Sequence, residues 1–95
     1  PAIFRLRSLM PEVSRFYGIT IRFYFRDHLP AHFHAIYGEH EALIEIQTGV
    51  VYRGYLHGTA LELVEEWRRL HLKELLQDLN LARHNLPPEP IQPLE

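Results

Sequence analysis

Between Ile19 and Arg26 the chain alternates without exception, with Ile19, Ile21, Phe23 and Phe25 on one side and Thr20, Arg22, Tyr24 and Arg26 on the other. Successive side chains of a strand point to opposite faces, so the run predicts a half-buried β-strand with one apolar and one polar face. Gly18 marks a turn before it, and Glu12 to Tyr17 reads as an extended partner across that turn. Past the Asp27-His28-Leu29-Pro30 loop, His32 to Tyr37 reads as extended, Gly38-Glu39 as a turn, and Glu41 to Gln47 as an antiparallel neighbour. Thr48-Gly49 separates that run from Val50 to Leu56, which predicts a tight hairpin. In that register Ala42, Ile44, Ile46, Val51 and Tyr55 share a face. Arg53 falls on it too, and must snorkel at the sheet edge or find a partner.

The pattern then changes period. Thr59 followed by Glu62 fits a capping box, and helix-forming residues continue to about Arg83. One straight helix of that length would run roughly 37 Å, too long for a compact domain of this size. The apolar phase also shifts: Ala60, Leu63, Val64 and Trp67 form one stripe, and Leu72, Leu75, Leu76 and Leu79 another. The shift predicts a break near Arg69 to His71. Pro87, Pro88, Pro90 and Pro93 exclude a further helix and favour an extended tail lying on the domain or on a partner. Strands first and helices after predict an α+β fold: an antiparallel sheet of about four strands, two C-terminal helices and a proline-rich tail. Met10-Pro11 reads as a second start, which divides the chain into an N-terminal extension (1–9), one domain (10–86) and the tail (87–95).

Length and composition narrow the functional classes. Ninety-five residues, 46% of them hydrophobic, suffice for one core and not for two. The chain has no cysteine, so no disulfide stabilises it and a reducing compartment is permitted. No apolar run approaches a membrane span, and Pro1 to Met10 lacks a secretory h-region; the expectation is a cytoplasmic protein with no membrane partner. Residues 1–37 carry five arginines against Glu12 and Asp27, a balance of +3, whereas residues 38–95 carry five basic and ten acidic side chains, −5, which sum to −2. That excludes a wholly basic nucleic-acid binder while leaving a local basic face in the first half.

The chemistry-bearing segment is Asp27-His28-x-Pro30-x-His32-Phe33-His34, with three of the seven histidines in seven residues. On a strand, His32 and His34 project from one face about 6.5–7 Å apart at the backbone, within reach of one divalent metal. His28, Asp27 or His57 would complete such a site. Against this stands the plain reading that His32 and His34 decorate a solvated face while Phe33 and Ala35 fill the core. A third reading uses histidine for proton transfer near neutral pH. Arg22, Tyr24 and Arg26 leave the aliphatic face together, and a neighbouring strand can set His32 and His34 beside them. Cations, imidazoles and a phenol in one patch can bind a phosphodiester and move a proton without metal. Glu62, Glu65 and Glu66 near a helix start with Arg68 and Arg69 near its end match the helix dipole, and read as structural. Trp67 lies in an apolar stripe and reads as core. His40, His71 and His84 fall in no arrangement, and no phosphate-cradling glycine loop, nucleophile motif or zinc-finger spacing is present.

From Met10 onward the chain resembles the bacterial domain-of-unknown-function 4160 family, on Met10-Pro11, Phe16-Tyr17-Gly18, the Ile21 to Phe25 strand and the Asp27 to His34 segment. The likeness continues through Tyr37-Gly38, the Ala42 to Ile46 strand, the Trp67 helix and Ile91-Gln92-Pro93-Leu94, and leaves residues 1–9 outside. Members are often encoded beside another small protein in pairs that look like toxin-antitoxin modules, so the resemblance implies a cognate protein partner. The leading expectation is therefore the toxin side of such a module, acting on RNA as a metal-independent ribonuclease without a cofactor. His32 and His34 would transfer protons, Arg22 and Arg26 would contact phosphate, and Tyr24 and His28 would support them. The alternatives are a non-catalytic binding or regulatory module, self-associating or docking its partner through the sheet face and tail, and a divalent-metal protein using His28, His32 and His34.

Overall fold

The computed structural model describes residues 11–23 and 30–95. Two-residue turns set the registers of the first strands. Tyr17 and Gly18, both at positive φ, join β1 (Glu12–Phe16) to β2 (Ile19–Arg22), the backbone that matches the right-handed twist of flanking strands. Gly38 and Glu39 join β3 (His32–Tyr37) to β4 (His40–Glu45), with positive φ at Gly38 alone, as a type II′ turn requires. With β5 (Val51–Gly54) the strands form one antiparallel sheet in the order β1-β2-β3-β4-β5. The sheet thus has five strands where about four were expected, because Glu12–Phe16 pairs along β2 as a full member.

The β4–β5 connection departs from the expected tight hairpin. The Glu45 N–H donates to Val50 O and the Gly49 N–H to Glu45 O, closing a longer loop over residues 46–49. Beyond it the register slips: Ile44 pairs with Val51, but Leu43 pairs with Arg53, leaving Tyr52 as an inserted residue. A bulge of this kind reverses the alternation beyond it. Val51 accordingly packs against the core, while Arg53 is exposed opposite Leu43 on the other face. The expected sharing of a core face by Arg53 and Ala42 is therefore corrected, and Tyr55, 58% exposed, does not join the core either. Gly54 follows at φ +82, where a Cβ would strike Glu41 O, so the strand can turn away only at glycine.

One sheet face carries the core. Phe16, Ile19, Ile21, Phe23, Phe33, Ala35, Ala42, Ile44 and Ile46 are all buried there. Two helices cover them, α1 (Gly58–Leu70) and α2 (Leu72–Arg83). Trp67 of α1 is fully buried between Phe16 and Phe33, at ring-centroid distances of 5.6 and 5.7 Å. Each such apolar side chain contributes about 1.5–3 kcal/mol relative to exposure. The helical run breaks at His71, as the phase shift requires, with φ −119° and ψ 24°. Its start differs from the expectation. The Leu61 N–H donates to His57 O, so the helix begins before Thr59 and no side-chain cap forms. Glu62, Glu65 and Glu66 consequently lie beyond the first turn, away from the dipole position assigned to them.

Glu65 has other work. Arg68, buried on α1, donates from Nε to Glu65 Oε2 at 2.7 Å and from Nη2 to Oε1 at 2.6 Å, while Nη1 donates to Ile46 O at 2.9 Å. The pair ties α1 to the β4–β5 loop. Residues 86–95 have neither helix nor strand, yet Pro88, Ile91 and Leu94 are buried on the domain.

Candidate functional site

The alternation of β3 separates its side chains cleanly. Phe33 and Ala35 enter the core, and His32 and His34 leave on the opposite, outer face. They are not the solvated decoration the plain reading expects: residue exposure is 5% for His32 and 9% for His34. Their rings lie side by side, centroids 5.1 Å apart and tilted by 46°.

Each imidazole is anchored through Nδ1. His34 Nδ1 meets Glu41 Oε2 at 2.7 Å, and His32 Nδ1 meets Pro30 O at 2.9 Å. A carboxylate and a carbonyl can only accept, so in both neutral rings Nδ1 carries the hydrogen and Nε2 is the basic nitrogen. The Tyr52 hydroxyl stands against the His32 edge, 2.7 Å from Nδ1 and 3.2 Å from Nε2. Its ring meets that of His32 edge-on, centroids 5.0 Å apart. Tyr52 is also 38% exposed, so this phenol links the buried imidazoles to the surface.

Register supplies the charges around them. Arg22 of β2 pairs with both Glu12 and His34 across its two neighbours, and Glu45 of β4 pairs with His32. Glu12 also accepts from Arg15 at 2.7 Å, and this hydrogen bond, with the charges of Arg15 and Arg22, holds its carboxyl below the ordinary range. The face therefore presents two imidazoles, a phenol, guanidinium groups and carboxylates: groups that can accept a proton, donate one and balance negative charge.

Of the residues singled out in the sequence, the structure brings together His32 and His34, with Arg22 opposite His34 in register. Tyr24, Arg26, Asp27 and His28 lie outside the described residues. His57 is not at the imidazoles; its ring packs against Tyr37 at 5.1 Å. Among the described residues no cluster of three or more His, Asp or Glu side chains is placed to hold a metal ion. Two members of the site had escaped sequence reading. Glu41 was legible in principle, since a two-residue Gly38-Glu39 turn places it diagonally across from His34 on the same face. Tyr52 turns to the outer face by simple alternation from Val51, but its contact with His32, across the intervening β4, requires the assembled sheet.

No helix among the described residues is long and apolar enough to cross a membrane. Neither a curated protein nor a solved structure gives a match. The model of a family described as "Domain of unknown function (DUF4160)" matches residues 18–88, which include β2 to β5, both helices and both imidazoles. With about three quarters of its length matched, the chain belongs to the DUF4160 family.

Proposed function

We propose that the outer sheet face is a metal-independent acid–base site for RNA cleavage, and that the protein is the toxin-side member of a two-protein module. The observation that carries the chemistry is the pair of buried imidazoles 5.1 Å apart, each held through Nδ1 by a different acceptor. His34, oriented by the Glu41 carboxylate, takes the proton of a ribose 2′-hydroxyl at Nε2, an atom buried in the free protein that substrate must uncover on binding, and Glu41 balances the charge the ring acquires. The 2′-oxygen forms a bond to phosphorus as the bond from phosphorus to the 5′-oxygen breaks. His32, entering as the imidazolium and held by Pro30 and Tyr52, gives its proton to the departing 5′-oxygen. Arg22, beside His34, offsets the charge that gathers on the phosphoryl oxygens. The products are a 2′,3′-cyclic phosphate and a free 5′-hydroxyl. The same reading keeps Arg26 as a second phosphate contact, with Tyr24 and His28 in support. Burial of the His32 and His34 rings strengthens the electrostatic contributions made at them, because water competes less there. The module and its cognate partner rest on the resemblance of family members to paired genes.

The reading is tested by expressing the chain alone and with its genomic neighbour while following growth and RNA integrity. Growth arrest with RNA ending in 2′,3′-cyclic phosphate, relieved by the neighbour and abolished by His34→Ala without loss of fold, is the expected result. Equal growth in both cases with intact RNA would refute it. Cleavage lost in chelator and restored by zinc would instead assign the imidazoles to a metal.

A further inference from the structure

The C-terminal segment binds the domain with a regular spacing. From Pro87 to Glu95 only Pro88, Ile91 and Leu94 are buried, every third residue, and the residues between them are exposed. A polyproline II helix has about three residues per turn, so every third side chain falls on one edge. Pro87, Pro88, Pro90 and Pro93 fix φ near the value that helix needs. Pro90-Ile91-Gln92-Pro93 is, moreover, a Pro-x-x-Pro sequence.

The surface beneath reads this segment as a receptor reads a proline-rich ligand. Trp67, buried on α1, donates from Nε1 to Gln92 O at 2.9 Å. Val13 O of β1 accepts from the Ile91 N–H at 2.7 Å, and Asp78 Oδ1 of α2 accepts from the Glu89 N–H at 2.7 Å. An indole donor to a ligand carbonyl, apolar sites for the buried edge and backbone pairing beside it are the elements by which aromatic grooves recognise such helices. Asn85, at φ +58, closes α2 in a Schellman cap, its N–H donating to Ala82 O and the Leu86 N–H to Leu81 O, so the turn into the segment is a regular helix end. One feature weakens the hold of the segment on its own chain. Asp78 Oδ2, buried under the segment, meets no donor among the described residues.

We propose that the Trp67 groove is a recognition site for a proline-rich segment, and that residues 86–95 of a second copy of this chain can occupy it in exchange for the chain's own. Exchange requires no new surface, since every contact made within one chain is made again between two. The pivot is the exposed Leu86-Pro87 pair, between the α2 cap and the first buried residue of the segment. The inference is independent of the outer-face chemistry, which lies on the other side of the sheet.

The single tryptophan makes the test direct, because Trp67 lies under the segment and its emission reports occupancy. A full-length chain carrying Ile91→Asp loosens its own segment and is titrated with a synthetic peptide of residues 86–95. The expected result is saturable recovery of the native Trp67 emission, with a peptide carrying Ile91→Asp at least tenfold weaker. Wild-type chain is then mixed with isotopically heavy chain at high concentration, and mixed dimers are sought by native mass spectrometry. They are expected to form, and to disappear when both chains lack residues 88–95. Should the Ile91→Asp chain fail to fold, the wild-type chain with peptide in millimolar excess serves, since the tethered segment competes at an effective concentration of about that order. A peptide that never binds overturns the groove, and a peptide that binds while chains never exchange overturns the second copy as its occupant.

Discussion

Two buried charges on adjacent helices meet opposite fates. Arg68 of α1 is surrounded by acceptors: both Glu65 oxygens, Ile46 O and, at 3.3 Å, Gln47 O. Its hydrogen bonds hold the Glu65 carboxyl below the ordinary carboxylate range. Among the described residues Asp78 of α2 has one donor, the Glu89 N–H, for two oxygens, and burial pushes its carboxyl up to about 6. A buried ion is tolerated where its whole hydrogen-bonding capacity is met, and is costly where it is not. Arg68 fixes the β4–β5 loop to α1. Asp78 holds the C-terminal segment to α2 by a charge-assisted hydrogen bond from the Glu89 N–H, at the cost of desolvating its own charge.

The contrast breaks most severely at Arg68. Arg68→Met keeps much of the side-chain volume but strips donors from Glu65 and from two loop carbonyls, with an expected loss of about 3–4 kcal/mol in urea denaturation. Adding Glu65→Leu should restore part of that loss, since removing both members of a buried pair costs less than removing one. If Arg68→Met alone costs under about 1 kcal/mol, Arg68 is not the anchor described. Gly49→Ala reaches the same anchor from the loop side. Gly49 sits at φ +77, and a Cβ there would lie 2.5 Å from Glu65 Oε2 and 2.7 Å from Arg68 Nε. Backbone strain and displacement of the ion pair together predict about 2–3 kcal/mol, again from the denaturation midpoint. In the Arg68→Met background the same change should cost less, because part of what it displaces is already lost.

These two anchors also mark where sequence reading ends. The alternation of Ile19 to Phe23 and His32 to Ala35, the two-residue turns and the break at His71 are local properties, carried by residues within one or two turns of each other. They were legible. The bulge at Tyr52 was not, since nothing in Val51-Tyr52-Arg53 says that one residue is inserted; that depends on how β4 and the loop before β5 are held. Arg68 reads as a dipole partner because, apart from Glu65 one turn away, its acceptors Ile46 O and Gln47 O are more than twenty residues distant and belong to the backbone. At the candidate site the outward pairing of His32 with His34 was likewise readable from spacing, but their burial and the anchoring by Glu41 and Tyr52 require the assembled sheet. The three-residue spacing of Pro88, Ile91 and Leu94 was visible throughout. Its meaning depended on Trp67 lying beneath it.

The smaller effect is expected at Asp78, and it has the opposite sign. An acid whose carboxyl is raised from 3.8 to about 6 by folding holds its proton more firmly in the native state. Between those two values the native state binds more protons than the unfolded one, so stability falls as pH rises through the window and stays lower above it. The shift converts to about 3 kcal/mol at most, and about 1–2 kcal/mol of it is expected on substitution because a replacing amide must itself be buried. Asp78→Asn removes the charge and keeps an oxygen to accept from Glu89, so it should stabilise the protein by that amount at pH 7.5 and by little at pH 3.5. Thermal melts at the two pH values separate this from a general gain in helix stability, which would persist in acid. A stabilisation equal at both values would mean that the Asp78 charge is no burden. The contrast with Arg68 would then be one of hydrogen-bond count alone.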